Sequence, residues 1–220
     1  MFKTIDGKAL SDEIKVKVKN DVKKINENGI DVGLALILTG DDPASKQYFN
    51  AILKAAKKVG INVYEHILSP TVSINEILNL VNSINHDERM NGLLVIFPLP
   101  HRINARRVVN AITPSKDIDG LGAVSVGRLA AEESTFQLYH DELHATLTDE
   151  RRILNVANFL PCTPFGVIRL LKYSGVTLKG KNAVVIGKSL ATGKPLALML
   201  LAKEATVTVC HKATQDSDFI

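Results

Sequence analysis

What most constrains the fold of this chain is an alternation: helix-length amphipathic stretches give way, again and again, to short unbroken apolar runs. Residues 8–28 carry apolar side chains at helical spacing and close at Gly29. The run Val32-Gly33-Leu34-Ala35-Leu36-Ile37-Leu38 follows, as expected of a strand buried on both faces. Gly40-Asp41-Asp42-Pro43 turns the chain into a helix from Ala44 to Val59, closed by Gly60. A second strand over Ile61 to Leu68, a helix starting near Ser73 and a third strand over residues 92–97 complete the series, which Pro98-Leu99-Pro100 stops. Repeats of this kind predict a parallel sheet covered by helices, and so an α/β protein.

The polar, turn-rich stretch from Pro114 to Gly122 marks a domain boundary, placing one domain over residues 1–121 and a second over 122–220. The second opens on a less regular stretch as far as Asn158. Phe159-Leu160-Pro161-Cys162-Thr163-Pro164 leads into a helix through Tyr173. A strand over residues 182–186, a helix from Pro195 to Lys203 and a strand from Ala205 to Cys210 then form a new β-α-β unit. Doubly wound nucleotide domains have five or six strands, so this Rossmann-type domain reads as incomplete.

Charge and cysteine content remove several functional classes. A net charge of +4 is mild, and Lys15, Lys17, Lys19, Lys23 and Lys24 alternate with apolar residues as the wet face of one helix, so no nucleic-acid partner is expected. Two cysteines make neither a disulfide framework nor a metal spacing, and a reducing, cytoplasmic setting follows. No apolar run approaches the ~18 residues of a membrane span, so no membrane partner is expected. His140-Asp141-Glu142-Leu143-His144 puts two imidazoles at i and i+4, but the residue after the first is Asp141 rather than a glutamate, and no metal is assigned.

The strand Val184-Val185-Ile186 runs into Gly187-Lys188-Ser189-Leu190-Ala191-Thr192-Gly193-Lys194-Pro195. Gly187 permits a tight turn, Gly193 permits close packing of the next helix, and exposed amides at the helix start favour a pyrophosphate. An ordinary β-α turn also favours glycine. The Gly-Lys-Ser triplet is not a Walker loop, because no glycine stands at position 182. Lys188 and Lys212 follow the two strands, with His211 beside the second, and no Asp or Glu occupies that strand end. Cations there suit a 2′-phosphate and favour NADP over NAD; two solvated lysines are the plainer reading.

Ordered along the chain, Ala44-Ser45-Lys46-Gln47-Tyr48, Gly92 to Pro100, Lys116-Asp117-Ile118-Asp119-Gly120, Pro161-Cys162-Thr163-Pro164, and Val185 to Pro195 followed by Cys210-His211 resemble the bifunctional methylenetetrahydrofolate dehydrogenase/cyclohydrolase (FolD) family. The resemblance implies a folate-binding catalytic domain ahead of the nucleotide domain, a folate site between the two, NADP as cofactor, and a homodimer in one-carbon metabolism. It implies that Tyr48 covers the pterin and that Asp119 holds its polar edge, with Ile52, Ile96, Pro98 and Leu99 lining the substrate. An aromatic face and a carboxylate suit a flat ring with N–H donors, although a core tyrosine and a turn-forming Asp-Gly read equally simply. Gly187, Lys188, Ser189, Gly193, His211 and Lys212 are the implied cofactor residues, Lys188 standing where relatives carry arginine.

Two departures change the expected chemistry. The family's catalytic lysine, four residues after the tyrosine, is Ile52 here, and the glutamine before its Leu-Pro-Leu-Pro is Ile96. Lys54 lies two residues further along the helix, a rotation of roughly 200°, and cannot substitute. Losing one member of a polar pair strands the other at about 1–3 kcal/mol, whereas two isoleucines repack the site as apolar. Isoleucine moves no proton, so the cyclohydrolase step is expected to be impaired while hydride transfer survives. Residues 131–158 form an insertion where relatives have a short hairpin, and the family's last strands and folate clamp have no counterpart before Ile220. A fragment, an early-stopped product and a non-catalytic paralogue that binds folate or a full-length partner therefore stand beside the enzyme reading.

Overall fold

The computed structural model describes residues 4–131 and 159–215. The chain divides into two compact units, one over residues 8–118 and the other over 119–220 joined by residues 1–7. The expected insertion lies outside the described residues but for Ala131, as does the His140–His144 pair.

In the first unit, α1 (Gly7–Glu27) precedes β1 (Gly33–Thr39), α2 (Pro43–Val59), β2 (Asn62–Leu68), α3 (Ile74–His86), β3 (Gly92–Val95) and α4 (Ala105–Ala111). The three strands are parallel in the order β2-β1-β3, so β1 is central and, as its unbroken apolar run demands, almost wholly buried. One face of the sheet, bearing Ala35, Ile37, Leu93 and Val95, packs on α3 and α4 through Ile77, Val81, Ile84 and Val108. The opposite face, bearing Leu36 and Leu38, packs on α2 through Phe49.

Local chemistry sets the helix ends. Pro43 begins α2 and the Asp42 side chain caps it, accepting from the Ser45 amide at 2.8 Å. Gly60 ends the same helix at φ 88°, in the left-handed region. Ser73 and Glu76 form a reciprocal capping box on α3.

The third strand ends at Val95 rather than residue 97, although Ile96 still donates to the Ile37 carbonyl at 2.8 Å. Phe97 and Pro98 turn outward across a cis peptide bond, while Leu99 folds back into the core on the α3 side. Beyond α4, the Leu93 amide donates to the Lys116 carbonyl at 2.8 Å, and Leu93 bridges to Asp117. The polar stretch assigned to the boundary therefore adds a parallel extension to the sheet.

The second unit holds α5 (Ala123–Ala130), α6 (Cys162–Tyr173), β4 (Asn182–Ile186), α7 (Gly193–Leu201) and β5 (Thr206–Cys210). Strands β4 and β5 pair in parallel, Ile186 opposite Cys210. Their inner face packs on Leu129, Ile168, Met199 and Leu200. Helix α5 falls in the stretch read as irregular; it hides Ser125 and Leu129, one turn apart, and little else. Helix α7 starts at Gly193, two residues before the proline expected to open it. Pro195 is tolerated because first-turn amides have no partner within the helix. Among the described residues no helix is long and apolar enough to cross a membrane.

Candidate functional site

The first-unit residues that the resemblance implies for folate lie on α2 and in the segment that leaves β3, and only Ile52 and Ile96 of them share a cluster. Tyr48 sits in the second turn of α2 and is 57% exposed. Ile52 lies one turn further on the same flank, half-buried, and Lys54 on that helix is exposed. Ile96 is 1% exposed and belongs to a cluster with Leu36, Leu38 and Phe49, against which Ile52, Leu53, Val63 and Leu94 also pack. Ile52 and Ile96, the two positions expected to depart from the family pattern, thus share one apolar cluster. A proton-transfer group has no foothold among these side chains. Pro98 is exposed, whereas Leu99 is 9% exposed and packs with the core of the opposite face.

Asp119 is half-buried and is followed by Gly120 at φ 61°, where only glycine is at ease. A Cβ on Gly120 would meet the backbone of residues 159–161 at 2.6–2.7 Å. Two separated sequence motifs, Asp119-Gly120 and the start of α6 at Pro161, therefore touch through their main chains. Asp117, not singled out by its sequence, is 2% exposed, the only charged residue among the described ones buried so completely.

The nucleotide-type turn of the second unit is built as its glycines predict, with one change. Gly187 has φ 117° and its amide donates to the Cys210 carbonyl at 2.7 Å, tying the loop to the end of β5. A Cβ on Gly193 would run into the Gly187 carbonyl, so the helix start can come this close only without a side chain. The amides of Thr192 and Gly193, expected to be open for a phosphate, are occupied by the Ser189 hydroxyl at 3.1 and 3.3 Å. The Lys194 amide bonds the Ser189 carbonyl at 3.0 Å. Ser189 is in effect the cap of α7, and a phosphate would exchange with its hydroxyl.

Lys188 and Lys212 each stand two residues past the paired ends of β4 and β5, both exposed. His211 forms a tight turn, its amide donating to Thr214 Oγ1 at 2.8 Å and its Nδ1 accepting from the Ala213 amide at 3.3 Å. This set of donors fits a dinucleotide bearing an extra phosphate: two cations, a glycine turn and no carboxylate at the end of β5.

A small α/β unit with an aromatic, apolar-walled end, and a second unit with a strand–glycine turn–helix of nucleotide-binding type, define a two-part cofactor-dependent class of protein. The chain belongs to the tetrahydrofolate dehydrogenase/cyclohydrolase family. Residues 5–119 match the model of the tetrahydrofolate dehydrogenase/cyclohydrolase catalytic domain, and residues 161–220 match that of its NAD(P)-binding domain. The bifunctional protein FolD of Acetivibrio thermocellus is 39% identical over 216 residues, which are 98% of this chain and 68% of that protein. The crystal structure of the bifunctional enzyme FolD from Campylobacter jejuni superposes with a TM-score of 0.84 at 40% identity, over 96% of this chain and 67% of that one. The methylenetetrahydrofolate dehydrogenase-cyclohydrolase of Trypanosoma brucei, solved with NADP cofactor and an inhibitor, gives a TM-score of 0.84 at 29% identity, over 99% of this chain and 67% of that one.

Proposed function

We propose that this chain is an enzyme of one-carbon metabolism that oxidises methylenetetrahydrofolate to methenyltetrahydrofolate with NADP, and that its cyclohydrolase step is impaired. The observation that carries this reading is an asymmetry. The glycine turn and cations that suit the cofactor are in place, while the lysine and glutamine positions are filled by Ile52 and Ile96 in one apolar cluster. Bound NADP supplies the hydride acceptor. Tyr48 offers its ring to the pterin, the Asp119 carboxylate accepts from pterin N–H groups, and Ile52 with Ile96 keep water from being activated near the one-carbon unit. Lys188 and Lys212 meet the 2′-phosphate, and His211 shapes the turn beside it. The same reading carries a homodimer and a cytoplasmic setting.

The test is to mix the protein with methylenetetrahydrofolate and NADP and follow NADPH. Formation of NADPH without hydrolysis of the methenyl product is expected. A flat trace from folded protein would instead favour a non-catalytic paralogue or fragment that binds folate or a full-length partner. One observation speaks for that rival: Ile186 is 88% and Val184 48% exposed on the outer face of the β4–β5 pair, and parallel sheets are normally covered on both faces.

A further inference from the structure

The stretch that ends in Asp119 is held by the tail of α3 in a way that its sequence does not announce. Asn85, in the last turn of α3, donates through Nδ2 to the Ala111 carbonyl at 2.8 Å and accepts through Oδ1 from the Thr113 amide at 3.0 Å. Returning the grip, the Lys116 ammonium donates to the carbonyls of Ile84 and Asp87, both at 2.7 Å. The first also accepts from the Asp87 amide at 3.2 Å and the second from the Met90 amide at 3.1 Å, so the cation adds to bonds already made and complements the negative end of α3. Beyond Lys116 the chain is seated a third time. Leu93 pairs with residues 116–117, and Ile118 lies over Gly92 so closely that a Cβ there would strike its Cγ2.

These contacts leave residues 111–118 little freedom, and Asp119 is the next residue. A carboxylate meant to meet a flat, hydrogen-bonding ring edge must be placed within a fraction of an ångström, and a side chain on a loop achieves that only if the loop is anchored. Asn85 on α3, and Lys116 reaching back to the end of that helix, supply the anchor, and α3 carries none of the implied ligand residues. We propose that Lys116 and Asn85 are positioning residues that set where the Asp119 carboxylate presents itself to the pterin. The proposal rests on the folate reading of Asp119.

Equilibrium binding of tetrahydrofolate and, separately, of NADP to the 220-residue chain tests it, with thermal midpoints measured in parallel. Lys116→Gln should weaken tetrahydrofolate about ten-fold and leave NADP affinity unchanged, because a displaced carboxylate loses much of its charged hydrogen bonding to the ring edge. Lys116→Arg, which keeps cationic donors, should recover most of it, and Asn85→Ser should fall in the same direction even if Lys116→Gln is too unstable to assay. In an Asp119→Asn background the Lys116 change should cost little more, since both act through one carboxylate. If Asp119→Asn weakens tetrahydrofolate but Lys116→Gln and Asn85→Ser lower only the thermal midpoint, the positioning role is wrong. If Asp119→Asn itself leaves affinity unchanged, the folate reading of that residue falls, and the positioning role with it.

Discussion

Placing a lysine at position 52 and a glutamine at position 96 gives a quantitative test of the proposed apolar repacking. Ile96 is 1% exposed among Leu36, Leu38 and Phe49. Ile96→Gln alone would place an amide in that cluster with no partner, at about 1–3 kcal/mol for its lost hydration. Lost apolar contact adds about 1 kcal/mol, for a total of about 2–4 kcal/mol. Ile52 is only half-buried, so Ile52→Lys can keep its stem against the cluster and raise its ammonium toward water, at about 1 kcal/mol. In the double variant the new ammonium can meet the new amide oxygen, and the pair should recover about 1–2 kcal/mol relative to the sum of the single costs. Urea unfolding of the parent, both single variants and the double variant measures this coupling directly. The same four proteins should be assayed for methenyltetrahydrofolate hydrolysis, with a gain expected only in the double variant. Single costs that add to within about 0.5 kcal/mol would show that the two positions do not share a polar site. Stability coupling without any hydrolysis would mean that the rest of the catalytic geometry is gone.

Three further outcomes follow from local structure. Gly193→Ala should distort the turn after β4, because its methyl group would collide with the Gly187 carbonyl. NADP affinity should drop by about ten-fold or more, while folding of the first unit, read by urea unfolding, is little changed. Ser73→Ala should cost about 1 kcal/mol in the same unfolding experiment, since the Glu76 amide loses its 3.2 Å partner and the capping box is broken. Burial lowers the His66 pKa below its usual 6.5, so the folded protein resists a proton that the unfolded chain accepts. Stability should therefore be full above about pH 6.5 and decline as pH falls toward the folded pKa. His66→Phe should flatten that slope, and an unchanged slope would mean that another group sets it.

Much of the first unit was legible before any tertiary contact was known. The strand at residues 33–39 announces itself by an apolar run too short for a helix, and α2 and α3 by Pro43, Gly60 and Ser73, all of which act over a few residues. The short helices α4 and α5, of seven and eight residues, are too brief to leave a periodic signal. Asn104, whose side chain accepts from the Arg106 and Arg107 amides, was the available clue to α4. The apolar run continues through residue 97, whereas the ladder itself ends at Val95 as the chain turns toward Pro98.

The amino-acid order by itself determined the α/β class, the family motifs and the isoleucines at positions 52 and 96, because these depend on residue identity and local spacing. Only the tertiary structure decided that Ile52 and Ile96 share one cluster, that Ser189 already occupies the amides of α7, and that Lys116 and Asn85 fasten the approach to Asp119. Most of these are meetings of groups distant along the chain, and even the local capping by Ser189 depends on a loop fastened to β5. A linear pattern carries propensity and period, but not which donor will find which acceptor once the backbone has closed.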